Sequence, residues 1–432
     1  MTAPSLRSAL LASLALLAFA GAIGGCGRGG ADPGDMPWAT TVDSTGDTLV
    51  VRIVGEVPAS QVRTLVPELE VGALDGAEEE TFGGITGVLS TSSSGLVVLD
   101  VSVPAVRVFD STGAFVRTIG RKGSGPGEYE HVNGIVRLPN GHLALWDAGN
   151  SRVNFYSSDA TFERSWRLDL GRYGTRLLFS DDAGHLYANT VLGRGEADGA
   201  SRVEGLIRLD TLGNVIDSLP FLTWAEDPKP ARASYPNDRN SGMTYGIPFG
   251  PGNETRLLPS GGFVSGFGDA YVFYIISREG KPVRVEREHA SVPVSATEAS
   301  ERRALIEFRM RTVDPNWNWA GQTFPTEKAP YQALSAGLDG RIWVRIATPD
   351  EPIPAAEIPE RRPGEPPPYT TREPVVYDVY SPGGRLLGRV AVPERVELFG
   401  MRGDRVWGVR TDSLGVGYAV RMRIEPALPV AR

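Results

Sequence analysis

Between two apolar runs of this chain lies RKGSGPGEYE, Arg121 to Glu130. Glycines beside a basic pair have the composition of a phosphate cradle, in which backbone N–H groups wrap an anion. Such a loop also needs a following helix and the order Gly-Lys-Ser/Thr, and neither is present. The segment therefore reads as a connection, with Tyr129 packed between the units it joins. The four histidines, His131, His142, His185 and His289, have no HExxH spacing. His142 and His185 flank turns at matching positions. No Gly-x-Ser-x-Gly elbow presents a serine nucleophile. Arg402-Gly403-Asp404 reads as a turn, and Asn253-Glu254-Thr255 fits a glycosylation sequon without further support. Paired carboxylates for glycoside hydrolysis cannot be recognised by spacing in a repeated fold. No cofactor and no metal-ligand set is implied, and no catalytic residue stands out.

Cys26 is different. It is the only cysteine, which leaves no intramolecular disulfide and no cysteine-based zinc cluster. Ahead of it come Arg7, the apolar run Leu10 to Phe19, and Ile23-Gly24-Gly25. The apolar run is short for a membrane span. Ile23-Gly24-Gly25-Cys26 resembles the lipobox of bacterial lipoproteins, with Gly24 where alanine or serine is commoner. The resemblance implies a signal peptide over residues 1–25, lipidation of Cys26, and a flexible tether over 26–40. It places the protein in the cell envelope, with the outer membrane or periplasmic face favoured. Acyl chains on Cys26 make the membrane a partner.

The elements that would position any site come from a repeat. SSGLVVLDVSVPAVRVFDSTGAFVRTIG, from Ser93, and PNGHLALWDAGNSRVNFYSSDATFERSW, from Pro139, share one pattern. A glycine turn is followed by an alternating strand ending in aspartate, then a strand containing arginine, then a tight turn and another strand. Gly95/Gly141, Asp100/Asp147, Arg107/Arg152 and Phe109/Phe155 fall in near register. Further units begin near Asp182, Pro259, Leu338 and Arg402. Four short strands per unit, at a period of about 45 residues, predict an all-β fold, a six-bladed β-propeller of four-stranded antiparallel blades. It spans residues 41–426, leaving a tail over 427–432. DTLVVRIV and VRTLVPELEV, ahead of the first unit, have no blade of their own. They are expected to close the ring by pairing with the last blade, which removes free sheet edges.

Pro126-Gly127-Glu128-Tyr129, Asn140 to Asp147, Asn150-Ser151-Arg152-Val153 and Phe155 resemble NHL-type repeats, and more closely those of bacterial six-bladed propeller lipoproteins. Some propellers of that group carry a metal or an Arg/Tyr pair in the central channel. The resemblance is informative for fold and poor for function.

In a blade whose strands a to d run from inner to outer, the a–b and c–d turns share one face. The b–c loops and d–a crossovers share the other. The a–b and c–d turns here are short, and every long insertion is a b–c loop or a crossover. The insertion from Phe221 carries Trp224, Tyr235 and Tyr245, and the one from Ser291 carries Arg309, Trp317, Trp319 and Tyr331. These seven residues form the candidate binding set, expected on one side, opposite Asn140, Gly213 and Gly383. The second insertion (292–330) holds a helix capped by Ser295, with Leu305, Phe308 and Ala304 on one face. The third (348–374) is proline-rich and expected to be extended.

The 52 acidic and 44 basic residues give a formal net charge of −8, which argues against nucleic acid as a partner. The sequence points to a monomeric, non-enzymatic module that binds a small ligand, a peptide or an envelope protein on the insertion-bearing face. A hydrolase or lyase with its site at the channel mouth is the alternative.

Overall fold

The computed structural model describes residues 37–91, 93–168, 178–194, 202–320 and 323–430. Cys26 and the leader lie outside the described residues. The chain is a six-bladed β-propeller. Blade one is Ile85–Ser90, Leu96–Asp100, Ala105–Phe109 and Phe115–Ile119. Blade two runs from Val132–Arg137 to Phe162–Arg167, and blade three from Leu178–Ser180 to Val215–Pro220. Blade four runs from Glu254–Leu257 to Val283–Arg287, and blade five from Tyr331–Ala336 to Leu386–Ala391.

Alternation of side chains explains why the second strand of blade one is apolar throughout. Leu96 and Val98 pack towards blade six, against Trp407, Val409 and Ala419. Val97 and Leu99 point the other way, against Leu143, Leu145 and Tyr156 of blade two. A strand covered on both sides has no polar face to alternate with. Blade two repeats this, with Ala144 and Trp146 joining Leu186, Ala188 and Leu209 of blade three.

The aspartates ending these strands hold the incoming crossovers. Asp100 accepts from Gly83 N at 2.9 Å and Gly84 N at 3.0 Å, with Arg107 at 3.6 Å. Asp147 accepts from Glu130 N and His131 N, each at 3.1 Å, and lies 3.4 Å from Arg152. A buried carboxylate satisfied by backbone donors and one arginine is both tethered and neutralised.

RKGSGPGEYE is such a crossover, and it is closed on itself. Tyr129 N donates to Arg121 O at 2.9 Å, and Glu128 accepts from Gly125 N and Arg121 Nε, each at 2.7 Å. Glu128 occupies the space where an anion would sit. Tyr129 is fully buried between blades one and two, donating to Ile119 O at 2.8 Å.

The ring closes with one N-terminal strand, not two. Blade six supplies only three strands, Val396–Arg402, Arg405–Thr411 and Gly417–Glu425. With β1 as Ala39–Thr45, β2 as Thr48–Val54 and β3 as Val62–Val71, the vacancy is filled by β3, antiparallel to Gly417–Glu425. Glu68 reaches Arg405 at 2.9 Å and Arg421 at 3.0 Å, and Glu70 reaches Arg410 at 2.6 Å. The expectation for β2 is corrected: it pairs in parallel with Val283–Arg287, the outer strand of blade four, and carries β1 beyond it. A four-stranded blade has room for one closing strand, so β2 extends a different blade.

The helix α1, Ala296–Arg311, begins where capping chemistry places it, with Ser295 Oγ accepting from Glu298 N at 3.1 Å. It lies in the crossover from blade four to blade five. The crossover from three to four holds the hairpin Ala231–Tyr235 and Asp238–Tyr245. The b–c loop of blade five is mostly extended, with Glu351–Pro352 paired to Thr371–Arg372. Among the described residues no helix is long and apolar enough to cross a membrane.

Candidate ligand-binding cavity

The three insertions meet on one face and build a cap. Ile306 and Met310 of α1, one helical turn apart and fully buried, pack on Ala231, Ala233 and Tyr245 of the hairpin. Each such side chain contributes about 1.5–3 kcal/mol. The neighbouring face of α1 turns to the proline-rich loop. Ser295 Oγ donates to Asp350 Oδ2 at 2.8 Å, Thr370 N donates to Glu301 Oε1 at 2.8 Å, and the Arg302 guanidinium lies 4.3 Å from the centre of the Tyr369 ring. Leu305 and Phe308 share a face of the helix, and both border spaces along this loop.

Lys328 ties the cap together. Its buried Nζ lies 2.8 Å from Glu298 Oε1 of α1 and 3.4 Å from Glu373 Oε2 of the loop, and donates to Thr348 O at 2.9 Å. Glu373 also accepts from Gln332 Nε2 at 2.7 Å and Thr348 N at 3.0 Å. Burial pushes the Glu298 carboxyl above its usual range, and Lys328 opposes that shift.

Under the proline-rich loop lies a cavity of about 920 Å³. One wall is the loop itself, including Ile353, Pro366-Pro367-Pro368 and Tyr369. The other is the crossover from blade five to six, with Val392 and Val396, and Leu305 of α1 closes one side. Its volume suits a small organic ligand. Arg372, on the rim, is held by Glu357 at 3.4 Å and by Glu394. The Tyr369 hydroxyl is buried without a hydrogen-bond partner.

The seven expected residues share the insertions but not this cavity. Trp317 and Trp319 are half-buried and lie edge to face at 5.9 Å; Trp319 meets Phe324 at 5.1 Å, and Arg303 sits 5.0 Å from its ring. Trp317 Nε1 donates to Arg232 O at 2.7 Å. Tyr245 joins this cluster, while Tyr235 and Arg309 are exposed. Trp224 is 40 % exposed, stacked on Tyr274 at 4.3 Å and fixed by donation to Ser265 Oγ at 2.8 Å. Tyr331 is corrected: as the first residue of blade five's inner strand it is buried, and its hydroxyl donates to Val272 O at 3.0 Å. Its ring fills space left by Gly266 and Gly268, which makes it a packing residue.

Sequence reasoning followed aromatic residues and passed over the cavity. Its signal was the run of prolines ending in Tyr369 among glutamates, which cannot form a blade strand and so must stand off the ring.

The histidines are not gathered. His142 Nδ1 lies 3.0 Å from Glu163, His185 Nδ1 lies 2.9 Å from Asp181, and His289 sits between blades four and five, its ring centre 5.6 Å from that of Tyr271. Among the described residues no three His, Cys, Asp or Glu side chains are arranged to hold a metal ion.

Residues 47–214 match a family described as a 6-bladed beta-propeller. None of the curated proteins matches the chain. Among solved structures, a Bacteroides fragilis protein described as exported is similar at 14% identity, with 87% of this chain and 99% of that chain covered and a TM-score of 0.46. A DUF4221-family protein from Bacteroides vulgatus is similar at 11% identity, covering 84% and 98%, with a TM-score of 0.48. Virginiamycin B lyase from Staphylococcus aureus is similar at 9% identity, covering 82% and 98%, with a TM-score of 0.38. At such identities the likeness is one of fold alone.

Proposed function

We propose that the chain is an exported, lipid-anchored β-propeller built on NHL-type repeats, and that it binds a small ligand without transforming it. The observation that carries the binding reading is the cavity under the proline-rich loop, built by insertions that are braced to one another. The paired charged groups on its walls support binding over catalysis, because they are engaged in holding those walls. Arg372 is clamped between Glu357 and Glu394, and Glu373 is bound by Lys328, Gln332 and Thr348. Rigid walls with committed polar groups bind at low reorganisation cost.

The anchor rests on Ile23-Gly24-Gly25-Cys26. It favours the cell envelope, at the outer membrane or the periplasmic face. Two measurements test the proposal. Cys26→Ser should abolish incorporation of labelled palmitate and leave the longer precursor; continued labelling would refute the anchor. Val396→Trp, which fills the cavity from the wall opposite the loop, should remove small molecules that native mass spectrometry detects on protein isolated from cell envelopes. An unchanged ligand profile would refute the cavity as the site.

A further inference from the structure

We infer that the cavity selects an amphipathic cation, an apolar body carrying an amine or guanidine. This rests on the cavity being the ligand site and adds the class of ligand. Proline has no backbone N–H, so the run Pro366 to Pro368 and Pro374 offer carbonyl acceptors and apolar ring faces only. The charged side chains bordering the cavity are six glutamates and three arginines. Of the arginines, Arg372 is neutralised by Glu357 and Glu394, Arg361 Nε donates to Glu365 O at 3.2 Å, and Arg395 is exposed at the rim. Glu373 is matched behind the wall by Lys328. Glu351, Glu360 and Glu365 are left with no cationic partner among the described residues, against Arg361 and Arg395 with no carboxylate partner, so the lining stays net negative.

Apolar surface comes from Leu305, Ile353, Val392 and Val396. A ligand that fits must bring hydrogen-bond donors and positive charge together with an apolar body. An anion would meet a lining in which glutamates outnumber arginines six to three.

The test uses full-length protein in nanodiscs of zwitterionic lipid, with empty nanodiscs as blank. Phenylbutylamine, phenylbutanol and phenylbutyrate share one apolar body and differ in charge at neutral pH. Binding is followed by saturation-transfer NMR. The amine should bind about fivefold tighter than the alcohol, the ratio that one exposed ion pair supplies, and the carboxylate should bind weakest. Glu351→Gln/Glu360→Gln should erase that advantage and leave the alcohol unchanged. Val396→Trp, and independently Ile353→Trp, should weaken all three. If the alcohol or the carboxylate binds as well as the amine, and the tryptophan variants still block binding, cation selectivity is overturned and the cavity stands. If no probe binds, or neither tryptophan variant weakens binding, the cavity reading falls, and the inference with it.

Discussion

Lys328 Nζ lies 2.8 Å from Glu298 Oε1, and both side chains are withdrawn from solvent although they belong to different parts of the cap. Lys328 precedes the inner strand of blade five, and Glu298 is in the first turn of α1. Removing one partner of a buried pair leaves a charge with no compensation. Lys328→Met should cost about 3–5 kcal/mol at neutral pH, measured by urea unfolding. The deficit should shrink on acidification. The Glu298 pKa is raised in the fold, so its contribution is most favourable below the ordinary carboxyl value and is lost as pH rises through the folded pKa. Without Lys328 that loss has no opposing cation. A deficit independent of pH would show that Glu298 does not bear the cost.

Ring closure gives a second prediction. Leu65 and Leu69 of β3 are both buried, in core clusters on opposite sides of the strand. Leu65→Ala should destabilise the protein by about 2–5 kcal/mol. It should also speed amide exchange along Gly417–Glu425, the strand that β3 covers. Val42→Ala on β1, where Val42 is 62% exposed, should leave both measurements unchanged. Equal effects from the two variants would mean that the ring does not depend on β3 for closure.

The contrast between β2 and β3 shows what the sequence could reveal. Both strands were readable as strands, and the missing fourth strand of the last blade could be counted. Which strand fills it is a matter of pairing partners, which alternation does not encode. β3 carries Glu68 and Glu70 opposite Arg405, Arg410 and Arg421, a charge match visible only once the strands are aligned. The aspartates and arginines of blades one and two were legible because they fall in near register between the repeats, Asp100 with Asp147 and Arg107 with Arg152. The cavity was not, because its walls come from segments with no repeat. Tyr331 misled because it follows an insertion directly, and sequence position alone did not separate the last loop residue from the first inner-strand residue.

His289 supplies a pH-dependent test. Burial lowers its pKa below the ordinary imidazole value of about 6.5. Glu56 and Asp378 act against that shift, Arg287 and Arg389 reinforce it, and Tyr271 faces the ring edge-on. A histidine with a depressed folded pKa is protonated more readily in the unfolded chain. Its contribution to stability is complete above the ordinary value and is lost as pH falls from there towards the folded pKa. Wild-type protein should therefore lose stability faster than His289→Gln over that window, measured as urea midpoints across a pH series. Parallel curves would show that His289 titrates alike in the folded and unfolded chains.

The Trp317–Trp319–Phe324 cluster separates the stability of the cap from that of the ring. Its rings pack on one another and on the hairpin of the first insertion, and Trp317 Nε1 bonds to Arg232 O. The clusters between blades six and one, one and two, and two and three are built from other residues. Trp317→Ala removes a half-buried ring and one hydrogen bond, so it should loosen the cap locally by about 1–3 kcal/mol. Limited proteolysis should then cut within 288–330 sooner than in wild type, while amide exchange in Leu96–Asp100 and Leu143–Asp147 stays unchanged. Because α1 closes one side of the cavity through Leu305, the variant should also weaken amine binding there without touching the ligand. If Trp317→Ala leaves proteolysis unchanged but abolishes binding, Trp317 contacts the ligand itself, and the site extends from the proline-rich loop to the aromatic cluster.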